Sequence, residues 1–506
     1  MDRFYVLPLL IGLAISCVTP SPPASIPAQP NILFMIADDW SYPHASILGD
    51  PVVQTPTFDR VAQNGVLFHN AYCAAPSCSP SRASILSGRY PHQLEAGGNL
   101  WSVYPQQYDN FVDLLQDAGY HTGSTRKGWG PGDYQRVGYD HNPAGKTYPG
   151  FKDFFDSKPD EAPFFFWFGS SDPHRVYTPN SGVRTGMDAG MVNVPPFLPD
   201  LPCIRNDILD YFYEVERFDR ECGNILTFLQ ERGELDHTIV VITSDNGMPF
   251  PRAKANLYDY GTRMPMAMCW TSTLRPNQVM QDFVSLVDLA PTFLEAAQRP
   301  VPTSMSGYSL LPDSPGSTVR DKVFIERERH ANVRKGDLSY PMRAVRTKDY
   351  LYIHNFEPER WPAGDPKTHV SVGQFGDVDN SISKFLIMSM EGQEHDREYF
   401  NLSFGKRTEE EFYVLADDPG NIKNQIRNKE YAQVLEELRQ ELVDWMQATD
   451  DLRSHDPNTI YWDTVEYTPT YQFFDFDLTN KLAEYQMERR EGNRFMPISC
   501  SQSPKN

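Results

Sequence analysis

Three apolar runs constrain this chain more than anything else in it: Asn31-Ile-Leu-Phe-Met-Ile-Ala37, Pro163-Phe-Phe-Phe-Trp-Phe-Gly169 and Thr238-Ile-Val-Val-Ile-Thr243. None alternates apolar with polar residues, so none suits a sheet with one face in water. Such runs fit strands covered on both faces, as in a parallel sheet between helices. Helical spacing falls between them. Residues 56–64 read as a helix closed by Gly65, followed by an extended stretch over 66–72. Phe111, Leu114, Leu115 and Ala118 share one face of a helix over 108–118, and a short strand over 120–125 follows. Tyr211, Phe212, Val215, Phe218, Cys222, Ile225, Leu226 and Leu229 form a core stripe over 207–232. A further helix is expected over 282–298, despite Pro291. Strand and helix in alternation predict an α/β fold, a large mixed, mainly parallel sheet sandwiched by helices. From about residue 315 the pattern changes to short strands at 323–325, 342–346, 350–355 and 411–415, then a helix over 431–448. That implies a smaller C-terminal α+β domain with an antiparallel sheet. Residues 365–400 read as a polar loop, and 456–506 carry little pattern. The expected division is 1–17 signal peptide, 18–30 Pro/Ser-rich linker, 31–315 catalytic domain, 316–455 C-terminal subdomain and 456–506 extension.

In a parallel sheet, ligands bind beyond the carboxyl ends of the strands. Asp38-Asp39, Lys127, Asp172-Pro173-His174 and Asp245-Asn246 each follow a strand candidate at that end. Distant in sequence, they can converge in space. Asp38, Asp39, Asp245 and Asn246 offer only oxygen donors, which suits a hard cation, Ca²⁺ or Mg²⁺, and makes a poor zinc site. Carboxylates crowded at one point need a cation. Arg82, Lys127, His174 and Lys254 can bring positive charge and protons to such a centre. Cys78-Ser79-Pro80-Ser81-Arg82 reads as a helix start, with Ser79 as cap, Pro80 at the first helical position and Gly88 at the end. Cys78 then lies at the positive end of the helix, with Arg82 one turn on.

The net charge of −21 excludes a general nucleic-acid binder and a polybasic membrane binder. Any anion site must be built from local basic groups. Met1–Tyr5 and the apolar run Val6–Ile15 make a secretion signal too short to span a bilayer comfortably. Leu13-Ala-Ile-Ser-Cys17 and the Pro/Ser-rich tether after it fit a bacterial lipoprotein site, while Ala14 keeps ordinary secretory cleavage open. The expected location is the periplasm or cell surface, with any membrane contact through a lipid on Cys17. Seven cysteines, at 17, 73, 78, 203, 222, 269 and 500, form no disulfide framework by spacing. One pair, such as Cys203 with Cys222, fits the count without being deducible.

From Asn31 to Asn424 the chain resembles the type I, formylglycine-dependent sulfatases of the alkaline phosphatase superfamily. Cys78-Ser-Pro-Ser-Arg82 with Leu86-Ser-Gly-Arg89 resembles the family's modification motif. Ile36-Ala-Asp-Asp39 and Thr243-Ser-Asp-Asn-Gly247 resemble its two metal motifs, and Gly261-Thr-Arg-Met-Pro265 a further one. Asp172-Pro-His-Arg175, Asp245-Asn-Gly-Met-Pro-Phe-Pro251 and Ser339-Tyr-Pro-Met-Arg343 look most like the heparan N-sulfatase branch and its bacterial polysaccharide-sulfatase relatives. The resemblance implies one Ca²⁺ on Asp38, Asp39, Asp245, Asn246 and residue 78. It implies that a maturation enzyme oxidises Cys78 to Cα-formylglycine, whose hydrate attacks sulfur. Arg82, Lys127 and Lys254 would neutralise sulfonyl oxygens, with His174 as the acid. Arg175, His330 and Arg343 would face the sugar. The implied partner is a sulfated oligo- or polysaccharide, such as ulvan or a glycosaminoglycan fragment. Two departures stand out. Trp129 occupies a position where the family has His, so either another group, such as His44 or an Asp, takes that proton or the step is slower. Lys254 stands where heparan N-sulfatases carry Arg and matches the O-sulfatases, which leaves sulfate ester against sulfamate open. Two other readings remain: a phosphoric ester or phosphonate hydrolase of the same superfamily, and a lipoprotein that binds sulfated glycans without cleaving them.

Overall fold

The computed structural model describes residues 1, 29–312, 314, 319–367 and 373–465, together with the backbone of Met487–Arg490 and Arg494–Pro497. The expected signal peptide, nearly all of the linker and much of the C-terminal extension lie outside the described residues.

Seven strands form the main sheet: β1 (Asn31–Ala37), β2 (Val66–Tyr72), β3 (His121–Arg126), β4 (Phe164–Gly169), β5 (Thr238–Ser244), β6 (Arg263–Cys269) and β7 (Gln278–Ser285). Their order is β3-β4-β1-β5-β6-β2-β7. β1 is buried along its whole length and pairs in parallel with β4 and β5. Only β6 runs against its neighbours, β5 and β2. The continuous apolar run of β1 has a direct cause. Leu33, Met35 and Ala37 enter one hydrophobic layer, and Ile32, Phe34 and Ile36 enter the other. The long helix Pro202–Glu231 covers the first layer with its predicted stripe. Helices Cys78–Ser87, Phe111–Asp117 and Leu289–Ala296 cover the second.

Several elements differ from the sequence expectation. The helix expected over 282–298 begins only at Leu289, because Asp282–Ser285 belong to β7, beside β2. This start puts Pro291 in the first turn, where a missing N–H costs nothing. The Cys78 helix begins at Cys78 itself, after an extended Ser77. Ser79 is no cap; its hydroxyl donates to the Pro131 carbonyl at 2.5 Å. Pro80 still falls among the positions whose N–H has no intrahelical partner.

A second sheet holds β8 (Lys322–Arg327), β9 (Met342–Thr347), β10 (Tyr350–Asn355) and β11 (Glu410–Val414), antiparallel throughout, in the order β11-β10-β9-β8. Helix Ala432–Ala448 packs Leu435, Leu438, Leu442 and Trp445 in one cluster with Val345, Tyr352 and Phe412. Ile325, Ala344, Leu351 and Ile353 share a cluster with Tyr72 and Phe283 of the main sheet. The two sheets are therefore joined by core. The stretch 365–400 is not all loop: Ser381 caps helix Ile382–Met388, whose Leu386 and Ile387 enter the first core layer. Cys222 is free and buried, so the candidate pair with Cys203 is not made. Among the described residues no helix is long and apolar enough to cross a membrane.

Candidate active site

Parallel pairing of β4, β1 and β5 brings three strand ends together. Asp38 and Asp39 leave β1 at a turn where Asp39 has φ 78°, a left-handed value that Asp tolerates better than most residues. The Asp39 amide donates to Asp245 Oδ1 at 3.1 Å, and Asn246 Nδ2 donates to Asp39 Oδ1 at 2.7 Å. Asp38, Asp39 and Asp245 hold carboxylate oxygens within 4.8 Å of one another, all buried. Each has its own cation. Lys127 Nζ lies 2.5 Å from Asp38 Oδ2, Lys254 Nζ 2.8 Å from Asp39 Oδ2, and Arg82 Nε 2.7 Å from Asp245 Oδ2. For Asp38, burial is outweighed by Lys127, His174, Arg82 and Lys254, which hold its carboxyl far below the usual range. For Asp39, burial wins over Lys254 and His174, and its pKa is pushed up to about 6.

Cys78 stands at the first residue of its helix, with Sγ 3.4 Å from Asp38 Oδ1. Burial and the Asp38 charge both penalise its thiolate and push the thiol well above its ordinary value. The site opens into a cleft of about 850 Å³ that Cys78, Lys127, His174, Lys254 and His330 help to line. His174 Nδ1 lies 2.6 Å from the Arg175 carbonyl. A carbonyl only accepts, so Nδ1 carries the proton and Nε2, 3.8 Å from Asp39 Oδ2, is the nitrogen left for exchange.

The donor set fits a hard divalent cation. Asn246 Oδ1 is buried with no hydrogen-bond partner, because Nδ2 makes the contacts to Asp39 and to the Gly247 carbonyl. An orphaned amide oxygen beside three clustered carboxylates is what an oxygen-loving ion completes.

The sequence model of the sulfatase family matches residues 30–299, and the one described as N-sulphoglucosamine sulphohydrolase, C-terminal, matches 252–369. The chain belongs to the sulfatase family. It is a sulfuric ester hydrolase by class. Human N-sulphoglucosamine sulphohydrolase is 29% identical over 469 residues, covering 83% of this chain and 90% of that protein. An ulvan-active sulfatase of Formosa agariphila is 25% identical over 487 residues, covering 84% and 76%. The solved structure of BT4656 with its substrate D-glucosamine-2-N,6-O-disulfate matches with a TM-score of 0.61 at 20% identity, over 87% of this chain and all of that one (100%). The structure of BT1596, a 2-O GAG sulfatase, matches with a TM-score of 0.58 at 20% identity, over 84% and 93%. Both likenesses establish the fold, the α/β sheet with its antiparallel companion.

In this sulfatase the residues expected at the site do not all reach the cleft. Arg82 is fully buried and does not line it; the guanidinium holds Asp245 and donates to the carbonyls of Lys127 (2.6 Å) and Gly128 (2.9 Å). Its Nε and Nη1 brace those groups, while Nη2 is buried without a hydrogen-bond partner. Arg343 does not face the cleft either. Its fully buried side chain pairs with Glu326, Glu328 and Asp451, because a guanidinium among three buried carboxylates has no donors to spare. Arg175 lines the cleft but is committed to both Asp207 oxygens at 2.7 and 2.8 Å and stacks on Tyr177 and Phe250. His330 lines the cleft with Nδ1 2.8 Å from Ser77 Oγ, and burial lowers its pKa to about 3, so it is neutral.

Trp129 lines the cleft and packs edge-on against Tyr104, 5.7 Å between centroids, within the second core layer. His44 does not stand in for an imidazole there. It is buried beside Tyr211 and Phe212, away from the cleft lining, and burial lowers its pKa to about 4. Asp38 contacts Cys78 Sγ but is held far below the usual carboxyl range, which makes it a weak base. Asp379 and Arg217 are among the cleft residues that escaped the sequence reading. Asp379, 3.2 Å from Lys254 Nζ, lies in a stretch with no periodicity. Arg217 occupies an outward position on a helix whose apolar stripe dominates the pattern; it holds both Asp172 oxygens at 2.5 Å.

Proposed function

We propose that this protein hydrolyses sulfate esters or sulfamates of a sulfated saccharide, using formylglycine made from Cys78 and one Ca²⁺ held by Asp38, Asp39, Asp245 and Asn246. The observation that carries the reading is the placement of Cys78 Sγ 3.4 Å from Asp38, at the mouth of a four-residue oxygen cluster with an orphaned Asn246 Oδ1. Hydrated formylglycine supplies a hydroxyl nucleophile and a second hydroxyl for release of sulfate, which a thiol lacks. The cation supplies Lewis acidity that favours the deprotonated hydroxyl and neutralises developing charge.

The chain's own residues do the rest. Lys127 and Lys254 place two ammonium groups at the cleft, held by Asp38 and Asp39, where negative charge on sulfonyl oxygens is stabilised. His174 is fixed through Nδ1, so Nε2 is its exchanging atom, and as imidazolium the side chain gives the Nε2 proton to the leaving oxygen or nitrogen. Arg82 fixes Asp245 and the Lys127 backbone, which sets the distance between cluster and cleft.

The substrate class rests on the relatives named for N-sulphoglucosamine and for ulvan. Export as a periplasmic or surface protein, with a lipid on Cys17, rests on the N-terminal pattern. Protein co-produced with a formylglycine-generating enzyme should show Cys78 converted by peptide mass spectrometry. It should release sulfate from at least one member of a panel of ulvan, heparan and N-sulfated glucosamine oligosaccharides, measured by ion chromatography. Cys78→Ala should release none, and a chelator should abolish release until Ca²⁺ returns. Unmodified Cys78 in fully active protein would overturn the mechanism.

A further inference from the structure

A groove of about 550 Å³ runs beside the active-site cleft, between helices Pro56–Gln63 and Pro202–Glu231. Arg60, Arg217, Arg220, Asn224 and Thr227 line it. Positions 217, 220, 224 and 227 share one face of the long helix, and from Arg217 to Thr227 that face extends about 15 Å at 1.5 Å per residue. Arg217 lines both the groove and the cleft, so the two adjoin one another. Arg126 lines the cleft and pairs with Glu221, which lines the groove.

The charged lining of this groove is mostly cationic, three arginines against one carboxylate, Glu221. A chain of net charge −21 repels anions, yet three arginines gather on one groove. Carboxylates are present. Glu221 holds Arg126, Asp172 and Glu214 hold Arg217, and Glu214 and Glu216 interact with Arg220 through space. Arg60 and Arg220 are exposed, and among the described residues neither has a carboxylate within ion-pair distance. A guanidinium fork left open in this way matches the planar oxygen pairs of a sulfate group. The hydroxyl of Thr227 and the amide of Asn224 add the neutral hydrogen-bonding groups that a sugar needs.

We propose that this groove is a secondary binding site for the same substrate: it holds the sulfate groups of saccharide units further along a chain whose terminal sulfate sits in the cleft. The proposal rests on the saccharide sulfatase reading above. Its energetic basis is linkage. Once one sulfate occupies the cleft, sulfates of later units are presented to Arg220 and Arg60 at high effective concentration, which compensates for the repulsive field of the chain. A free polyanion without a group for the cleft gains no such advantage.

The test is binding to Cys78→Ala protein, which cannot turn over. Heparin-derived disaccharide and octasaccharide are titrated calorimetrically at low and at physiological salt, with a hyaluronan octasaccharide as a carboxylate-only chain. The heparin octasaccharide should bind about tenfold more tightly than the disaccharide, the gain shrinking with salt. Added Arg60→Ala and Arg220→Ala substitutions, both at exposed positions, should erase that gain. Equal affinity for the two lengths, a gain that survives the double substitution, or hyaluronan binding as tightly as heparin would each overturn the proposal. Length-dependent binding lost on the double substitution, in a protein that releases sulfate from no saccharide, leaves the groove standing and sinks the hydrolase reading.

Discussion

Replacing Arg82 by Met tests whether buried charge compensation holds the site together. Arg82 and Asp245 are both fully buried, with Nε 2.7 Å from Oδ2. Met keeps much of the volume and removes the charge and every donor. Asp245 then keeps only the amides of Asp39 and Asn246. The Lys127 carbonyl retains a 3.3 Å contact from the Trp167 indole, while the Gly128 carbonyl loses its guanidinium donor. Breaking a buried pair from one side costs about 3–5 kcal/mol, against about 0.5 kcal/mol for an ordinary surface substitution. Urea unfolding in a chelator, read by fluorescence and circular dichroism together, should show the midpoint falling by that energy at unchanged slope. Coincident transitions establish that one free energy applies to a chain of this length. Saturating Ca²⁺ should shrink the deficit, because a cation beside Asp245 takes over part of the compensation. A loss below about 1 kcal/mol in the chelator would refute the argument that this pair compensates a buried charge.

Three further outcomes are expected. Gly169→Ala should depress activity together with stability, because a Cβ there would sit 1.7 Å from the Lys127 carbonyl that Arg82 holds; wild-type kcat in the variant would show that the backbone has room. Arg343→Met should fail through folding and leave KM unchanged in whatever protein folds, since the side chain balances Glu326, Glu328 and Asp451 and touches no cleft; a raised KM at normal stability would restore the sugar-contact role. His92 is buried, but Glu326 outweighs that burial and raises its pKa above the ordinary 6.5. Its folded-state pKa being the higher, its stabilising contribution is complete below 6.5 and is lost as pH rises through the raised value. The stability gap between wild type and His92→Gln should therefore narrow with rising pH; a constant gap would exclude the linkage.

Much of the site was legible because strand ends announce themselves. Asp38-Asp39, Lys127, His174 and Asp245-Asn246 each follow an apolar run, and parallel pairing makes such ends converge whatever their separation in sequence. Residues whose role depends on a distant partner were not legible in the same way. Arg82 and Arg343 look alike as lone arginines near motifs. One turns out to brace Asp245 and the other to neutralise three carboxylates, choices made by what the chain brings within 3 Å of each. β6 carries Pro265 and Ala267, weak strand formers, and is a strand because β5 and β2 flank it. Asp379 enters the cleft from a stretch without any period.

The sequence alone determined the layered α/β architecture, since runs such as Phe34–Ile36 or Phe164–Phe168 have no stable place except between two apolar layers. It also determined the chemistry on offer, an oxygen-only donor set and a Cys in a Ser-Pro-Ser-Arg setting at a helix start. Only the tertiary structure decided which charges meet. Charge pairing depends on distances of a few ångströms between residues hundreds of positions apart, such as Arg82 and Asp245 or Lys254 and Asp39. No local pattern encodes those distances. The groove with Arg60, Arg217 and Arg220 belongs to the same class, because its two helices come together only when both pack on the sheet.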